Sequence, residues 1–502
     1  MPTDPTAADS TGSTAPTGST DPTAAARLTR EYLSGLPAGC APERSCEGSA
    51  LAGDIYGSAF LTRPVFLGRG ESRELGARLS RLYDLLLTLP DRLFDGDLRA
   101  FTTALGWSPA QISATLRADG RPRELPRSAR ADLYREKEGF RLLELNGGSP
   151  LGGWDIALLN EALLQEPYTA SFVQRHRLGF TDGIEVLLNL WRESFPGLGP
   201  SANPFVALLE WPGSYPAMER HLHRMAGLLA AHGVEAVPCH LGQLEYRSDG
   251  VHVAGRRVDL VHRWFVINDV DTAEDAALLA PLTEAADRGL VHLFTPLENE
   301  VYGTKAALAL LSDQRNRSLF DQAELEVIDA LLPWTRLVRD EKAELAGERV
   351  DLLRHALAHR EDLVLKASSS HSGLDVLAGW EASAEEWADS VRAAAGGPFI
   401  LQRRVRPVAE DFPAPGGGPP EPAVLTWGVF LAGRGYGGAY LRGTTDLDSG
   451  VISSGKGGRL GTLFLCDDTR GVSGRRSRPG SQLGATSEPG PSGPGQVDGS
   501  KR

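Results

Sequence analysis

The chain has 502 residues, 41% of them hydrophobic and 23% charged, the balance of a soluble globular protein with roughly three domain-sized units. A net charge of −13 and a pI near 5.4 argue against partners such as nucleic acid or an anionic membrane. Four scattered cysteines, Cys40, Cys46, Cys239 and Cys466, lack zinc-type spacing and are too few for a disulfide scaffold, and no stretch of about 20 apolar residues or signal-like amino terminus is present, so the expected location is the cytoplasm.

Residues 1–26 are Pro, Thr, Ser, Ala and Asp, too polar to offset the entropy of ordering, and are expected to be a disordered tail. Residues 27–128 are mainly helical, as in ESRELGARLSRLYDLLLTLPDRLF, whose leucines recur at helical spacing. A hairpin follows at 129–146, closing an amino-terminal region that runs to 200. FVALLEW from Phe205, PAMERHLHRMAGLLAAHG ending at Gly233, and VEAVPC read as strand, amphipathic helix and strand, and VDLVHRWF from Val258 as a further strand, so 201–300 is a small α/β subdomain. In 301–468, TKAALALLSD opens a helix, LVLKA, FILQRRV and AVLTWGVFL are strands, and SAEEWADSVRAAA is a helix. Asp411–Pro422, DFPAPGGGPPEP, reads as an inserted surface loop, and 469–502 as a second disordered tail. The whole is an α+β chain without repeats.

The segment RADLYREKEGFRLLELN, Arg130 to Asn146, carries the most chemistry. A three-residue loop at Lys137, Glu138 and Gly139 pairs positions whose numbers sum to 276, so Asp132 faces Glu144 and Arg130 faces Asn146. Strand side chains alternate, which puts these four on one face and Ala131, Leu133, Leu143 and Leu145 on the other, buried one. A solvated polar face is the plain reading. Two carboxylates and an amide oxygen are also the sparse oxygen set that magnesium takes when phosphate completes its shell.

The pattern R-x-D, then E-x-N, then GGSPLGG resembles the metal-binding hairpin of ATP-grasp enzymes, in particular the circularly permuted, glutathionylspermidine synthase-like members, in which the hairpin precedes the nucleotide-binding lysines. The resemblance implies an ATP-grasp fold with an additional substrate-binding subdomain, ATP and Mg2+ as cofactors, Asp132, Glu144 and Asn146 as magnesium ligands, and Arg130 as the catalytic stabiliser of developing charge. It also implies nucleotide contacts from Lys305 in YGTKAALALLSD, from Lys366 and Gly373 in LVLKASSSHSG, from Gln402 in FILQRRV and from Arg442 in AYLRGT. The loop after Lys366, SSSHSG, departs from the glycine-rich run of the family, and no amidase region precedes the ligase part.

Other features have simpler readings. Ser369, Ser370 and His371 lack a nucleophile elbow, His221 and His223 point to different helix faces and read as surface histidines, and GRGYGG near Gly433 does not open a helix. Ser149 lies in the glycine-rich turn after the hairpin, and Arg63 and Arg263 are either substrate-carboxylate binders or members of ion pairs. The expected function is ATP-dependent joining of two amino acids as small-molecule carboxylate and amine substrates, of the kind used in amino-acid or antibiotic metabolism. A peptide–polyamine ligase and a non-catalytic nucleotide-binding regulator are the alternatives.

Overall fold

The structure, a computed structural model, describes residues 23–52, 59–198, 204–345, 347–369, 375–414, 418–452 and 457–468. The carboxy-terminal tail and all but the end of the amino-terminal one lie outside these residues. The tail expected over 1–26 gives way to a helix already at Ala24–Gly35, because the Thr23 side chain caps it by accepting from the Ala26 N–H.

Three sheets organise the chain. The first is antiparallel and is assembled from distant parts of the sequence. The hairpin strands Ser128–Glu136 and Gly139–Gly147 pair through the former with Glu421–Ala432, which pairs with Gly435–Thr444 and then Arg459–Gly461. Glu410–Phe412 pairs with the start of Glu421–Ala432, so the ends of the expected surface loop 411–422 are in fact a sheet edge. The second sheet, also antiparallel, runs Thr335–Leu337, Phe399–Arg403, Leu363–Ala367, Val376–Ala378.

The third sheet is parallel, in the order His292–Phe294, Leu260–Arg263, Phe205–Glu210, Glu235–His240. Every residue of Phe205–Glu210 is buried, as a central parallel strand covered on both faces requires. The chain leaves this strand to one side for Glu235–His240 and later returns on the other side as Leu260–Arg263. That reversal opens a crevice at the carboxyl ends of the two central strands.

Packing leaves the polar face of the hairpin available. Ala129, Ala131, Leu133, Leu142 and Leu145 join one core with Leu75, Leu79, Leu82 and Leu86 of helix Arg69–Leu87 and Ala306 and Leu308 of helix Lys305–Ser312. Each leucine buried this way contributes about 2 kcal/mol, which fixes which face of the hairpin turns inward. Among the described residues no helix is long and apolar enough to cross a membrane.

Candidate active site

The hairpin register pairs Arg130 with Asn146 and Asp132 with Glu144, but the turn is not the expected one. Glu136 pairs directly with Gly139, leaving a two-residue loop at Lys137 and Glu138, and the register shifts between Asp132 and Leu133, so that Leu133 faces Leu142. A bulge at Leu143 absorbs the extra residue. Consequently Leu142 occupies the core position expected of Leu143, and Leu143 turns to a small apolar cluster with Tyr134, Val405, Val424 and Ile452. The Leu143 carbonyl, with no residue directly opposite it in the ladder, accepts a hydrogen bond from Lys366 Nζ at 3.2 Å.

Asp132 is 4% exposed and holds two arginines. Arg130 donates Nε to Oδ1 at 2.9 Å and Nη2 to Oδ2 at 3.2 Å, while Arg442 donates Nη2 to Oδ2 at 2.8 Å. Burial opposes the negative charge, but the two guanidiniums outweigh it and hold the Asp132 carboxyl well below the usual range. Both arginines lie near the Tyr440 ring, at 5.6 and 5.2 Å from its centroid. Gly428, opposite Asp132 on the neighbouring strand, makes this approach feasible: a Cβ there would lie 3.1 Å from both Arg130 Cδ and Asp132 Oδ1.

Glu144 forms an ion pair with Lys305 at 3.2 Å. Burial alone would raise the Glu144 carboxyl, but Lys305 and Lys366 hold it below its ordinary value against the opposing charge of Asp132. Lys305 opens its helix behind the N-cap Thr304, and the backbone N–H of Lys305 donates to the Ser368 carbonyl at 3.0 Å. The helix start and the end of the Lys366 strand are thus tied together. Lys366 is 7% exposed and also donates to Gln402 Oε1 at 2.7 Å, and Gln402 in turn donates Nε2 to Thr335 Oγ1 at 3.2 Å. Burial drives the Lys366 ammonium down to about 8, with Glu144 working the other way.

Four cations, Arg130, Arg442, Lys305 and Lys366, therefore meet two carboxylates where the two antiparallel sheets face each other. Asn146 completes the face, its buried Nδ2 without a hydrogen-bond partner. Among the described residues no three His, Cys, Asp or Glu side chains converge on one point. What the hairpin offers a metal is sparser: Glu144, Asn146 and the remaining lone pair of Asp132. That set fits a magnesium ion that keeps water and phosphate oxygens.

An open cleft adjoins the cluster, lined by Asn146, Asn268, Glu300, Thr304, Lys305 and Ser369 among others. Its outer wall is the segment after Leu260–Arg263, which is the carboxyl-end crevice of the parallel sheet.

The candidate substrate residues are already engaged within the fold. Arg63 does not join the site: its Nε donates to Asp411 O at 2.7 Å, Nη1 to Pro64 O and Nη2 to Glu410, and it stacks on Phe412, so it anchors the sheet-edge segment. Arg263 already has its carboxylate, Glu300 at 2.5 Å, and also donates to Thr295 O at 2.8 Å, so it braces the cleft from within. Ser149 is fully buried, its Oγ accepting from the Thr295 N–H at 2.9 Å, and fastens the turn to the parallel sheet. Gly373 lies outside the described residues, as do Ser370 and His371. His221, expected at the surface, is 1% exposed, and its Nδ1 lies 2.7 Å from Arg224.

Sequence reasoning missed Glu210. It ends the central parallel strand, 3% exposed, accepting from the Trp211 N–H at 2.7 Å and Ser214 Oγ at 3.2 Å. Burial lifts its carboxyl to about 7, with nearby Asp269 adding to the rise. The available signal was positional: a carboxylate closing an all-apolar strand at the reversal point. Tyr440 and Gly428 were also missed, since their roles depend on cross-strand neighbours.

No family model matches the sequence, and no curated protein matches it. Among solved structures, the chain is similar to a glutathione synthetase-like effector from Globodera pallida in its apo form, at 11% identity and a TM-score of 0.52, over 88% of this chain and 97% of that one. It also aligns with a putative gamma-glutamylcysteine synthetase from Methylobacillus flagellatus KT, at 13% identity and a TM-score of 0.40, over 80% and 89% of the two chains. The first likeness carries the fold alone: this chain shares the overall fold of that effector.

Proposed function

We propose that this chain is an ATP-dependent carbon–nitrogen ligase, which activates a small carboxylate as an acyl phosphate and joins it to an amine. The observation that carries this reading is the convergence at Lys366, whose Nζ crosses from one antiparallel sheet to the hairpin of the other. Four cations against two carboxylates leave an excess of two positive charges in a largely buried site. A magnesium–nucleoside triphosphate is the complementary charge, and burial strengthens that attraction. The hairpin precedes both lysines in the chain, the order of the circularly permuted members, and we assign the chain to that arrangement.

In this mechanism a carboxylate oxygen attacks the γ-phosphorus, the bond to the bridging oxygen breaks and ADP leaves. The amine then attacks the acyl carbon to form the C–N bond and a tetrahedral oxyanion adduct, loses a proton, and the adduct collapses as its bond to phosphate breaks and phosphate departs. Lys305, Lys366 and Arg442 neutralise phosphate oxygens, and Arg130, held at fixed aim by Asp132 and the Gly152 carbonyl, stabilises the oxyanion of the tetrahedral adduct. Asp132, Glu144 and Asn146 would hold magnesium, which when bound supplies charge neutralisation between phosphate oxygens. Gln402 and the apolar cluster around Leu143 border the base.

The substrates are assigned as two amino acids, giving a dipeptide or γ-glutamyl amide. The crevice beside the cleft supports this, because Glu210 with Asp269 suits an ammonium group and Asn268 offers a neutral amide. The same carboxylates would also favour a polyamine acceptor, the second reading. Incubation with ATP, magnesium and an amino-acid panel should release ADP and yield a condensed mass. Turnover with spermidine alone selects the polyamine reading. ATP binding without turnover, unaffected by Asn146→Ala and Lys366→Ala, selects a non-catalytic regulator.

A further inference from the structure

A second cavity rich in cations, of about 210 Å³, lies beside the strand Thr335–Leu337 and shares no residue with the hairpin cluster. Arg336 forms its floor, with Arg315, Lys342 and Arg349 around it and Asp313 and Glu344 as the acids. Arg315 consumes Asp313 at 2.6 Å and also grips Glu341 at 3.0 Å, and Arg349 faces Glu344 across an antiparallel pair. Lys342 faces Asp351 in the same way, which leaves Arg336 as the buried cation of the set.

Arg336 is the anomaly. It is 5% exposed, and its acceptors are all neutral: Ser312 O at 2.7 Å, Ser312 Oγ at 3.1 Å, Thr335 O at 2.8 Å and Glu344 O at 3.2 Å. Among the described residues no carboxylate pairs with it. Its buried Nε has no hydrogen-bond partner, and only one of the two Nη2 protons is used. Asp313 and Glu344 act on it only through space; a buried guanidinium with no carboxylate in contact is costly, and an edge with free donors matches the geometry of an oxyanion.

The position also has consequences. Ser312, which holds Arg336, ends the helix that Lys305 begins. Thr335, the adjacent residue, accepts from the Gln402 amide that holds Lys366 through its other end. The supports of both lysines meet at this one guanidinium.

We propose that this cavity is a binding site for a small phosphate-type oxyanion, gripped by Arg336 on one side and by Lys342 and Arg349 from the strands Lys342–Leu345 and Glu348–Asp351 on the other. Occupancy supplies a directly bonded anion and braces the two elements that carry the lysines. The proposal is independent of which reaction the main site performs. Calorimetric titration of the full chain with inorganic phosphate tests it in three proteins: the parent, Lys366→Met, and the double variant Lys342→Gln/Arg349→Gln, whose substituted residues are exposed and tolerate exchange. Binding should survive Lys366→Met and weaken at least about fivefold in the double variant. Phosphate should also raise the thermal midpoint of the parent and not of the double variant. Absence of binding at millimolar phosphate, binding unchanged in the double variant, or binding lost only with Lys366→Met overturns the site.

Discussion

Lys366 links stability to function in a way that pH can read. Burial moves its ammonium from the ordinary 10.5 to about 8, a differential of about 3 kcal/mol between the charged forms of the native and unfolded chains. Between about pH 8 and 10.5 the unfolded chain retains a proton that the native state has released. More protons are bound by the unfolded state there, so stability rises with pH through that window, and the full penalty is present below pH 8. Lys366→Met removes the penalty but strands Gln402 Oε1 and the Leu143 carbonyl, each at a cost of about 1–2 kcal/mol. The two changes nearly cancel at pH 7. What distinguishes them is the slope: the parent should gain up to about 3 kcal/mol over the variant as pH climbs from 7.5 to 10.5, while other titrations cancel in the difference. Urea unfolding of both proteins across that range measures it. Parallel pH curves would refute the argument, because Lys366 would then carry the same proton affinity folded and unfolded. In the same variant ADP release should fall by at least about a hundredfold if the proposed reaction develops phosphate charge beside this buried group, and unchanged release would remove Lys366 from that role.

Other outcomes follow from the same geometry. Glu144→Ala should abolish turnover while the far-ultraviolet circular dichroism stays native, and retained activity would remove the proposed magnesium site. Asp132→Asn leaves Arg130 and Arg442 without their shared anion and should cost about 3 kcal/mol in denaturant unfolding. Gly428→Ala puts a methyl group 3.1 Å from Arg130 Cδ and Asp132 Oδ1, so kcat should drop by about tenfold or more with a small change in stability; an unchanged kcat would show that the aim of Arg130 is unimportant. Breaking the buried Arg263–Glu300 pair with Arg263→Met should destabilise by about 3 kcal/mol, read from the urea midpoint, and should loosen substrate binding only through the cleft wall.

Much of the secondary structure was legible because the local signals agreed with the tertiary outcome. The strands at Phe205, Leu363 and Phe399 and the helices from Tyr215 and Lys305 lie where apolar period and caps put them. The pairing of Asp132 with Glu144 was legible too, although for a partly mistaken reason: a shorter loop and a bulge at Leu143 add to the same offset as a longer loop. Nothing local distinguishes these two, since a bulge is decided by what packs on each face. Arg63 and Arg263 stayed open between two readings because an arginine pattern says that an anion is near and not whether that anion is Glu410, Glu300 or a substrate.

By itself, then, the sequence determined the α+β character, the polar face of the hairpin and the identity of the charged groups, because alternation and capping act over a few residues. Only the tertiary structure decided which charges meet. Asp132 and Arg442 are 310 positions apart, and Lys366 reaches Leu143 across 223. Such contacts depend on which strands become neighbours in the folded sheets, and on how far burial shifts each group once they do.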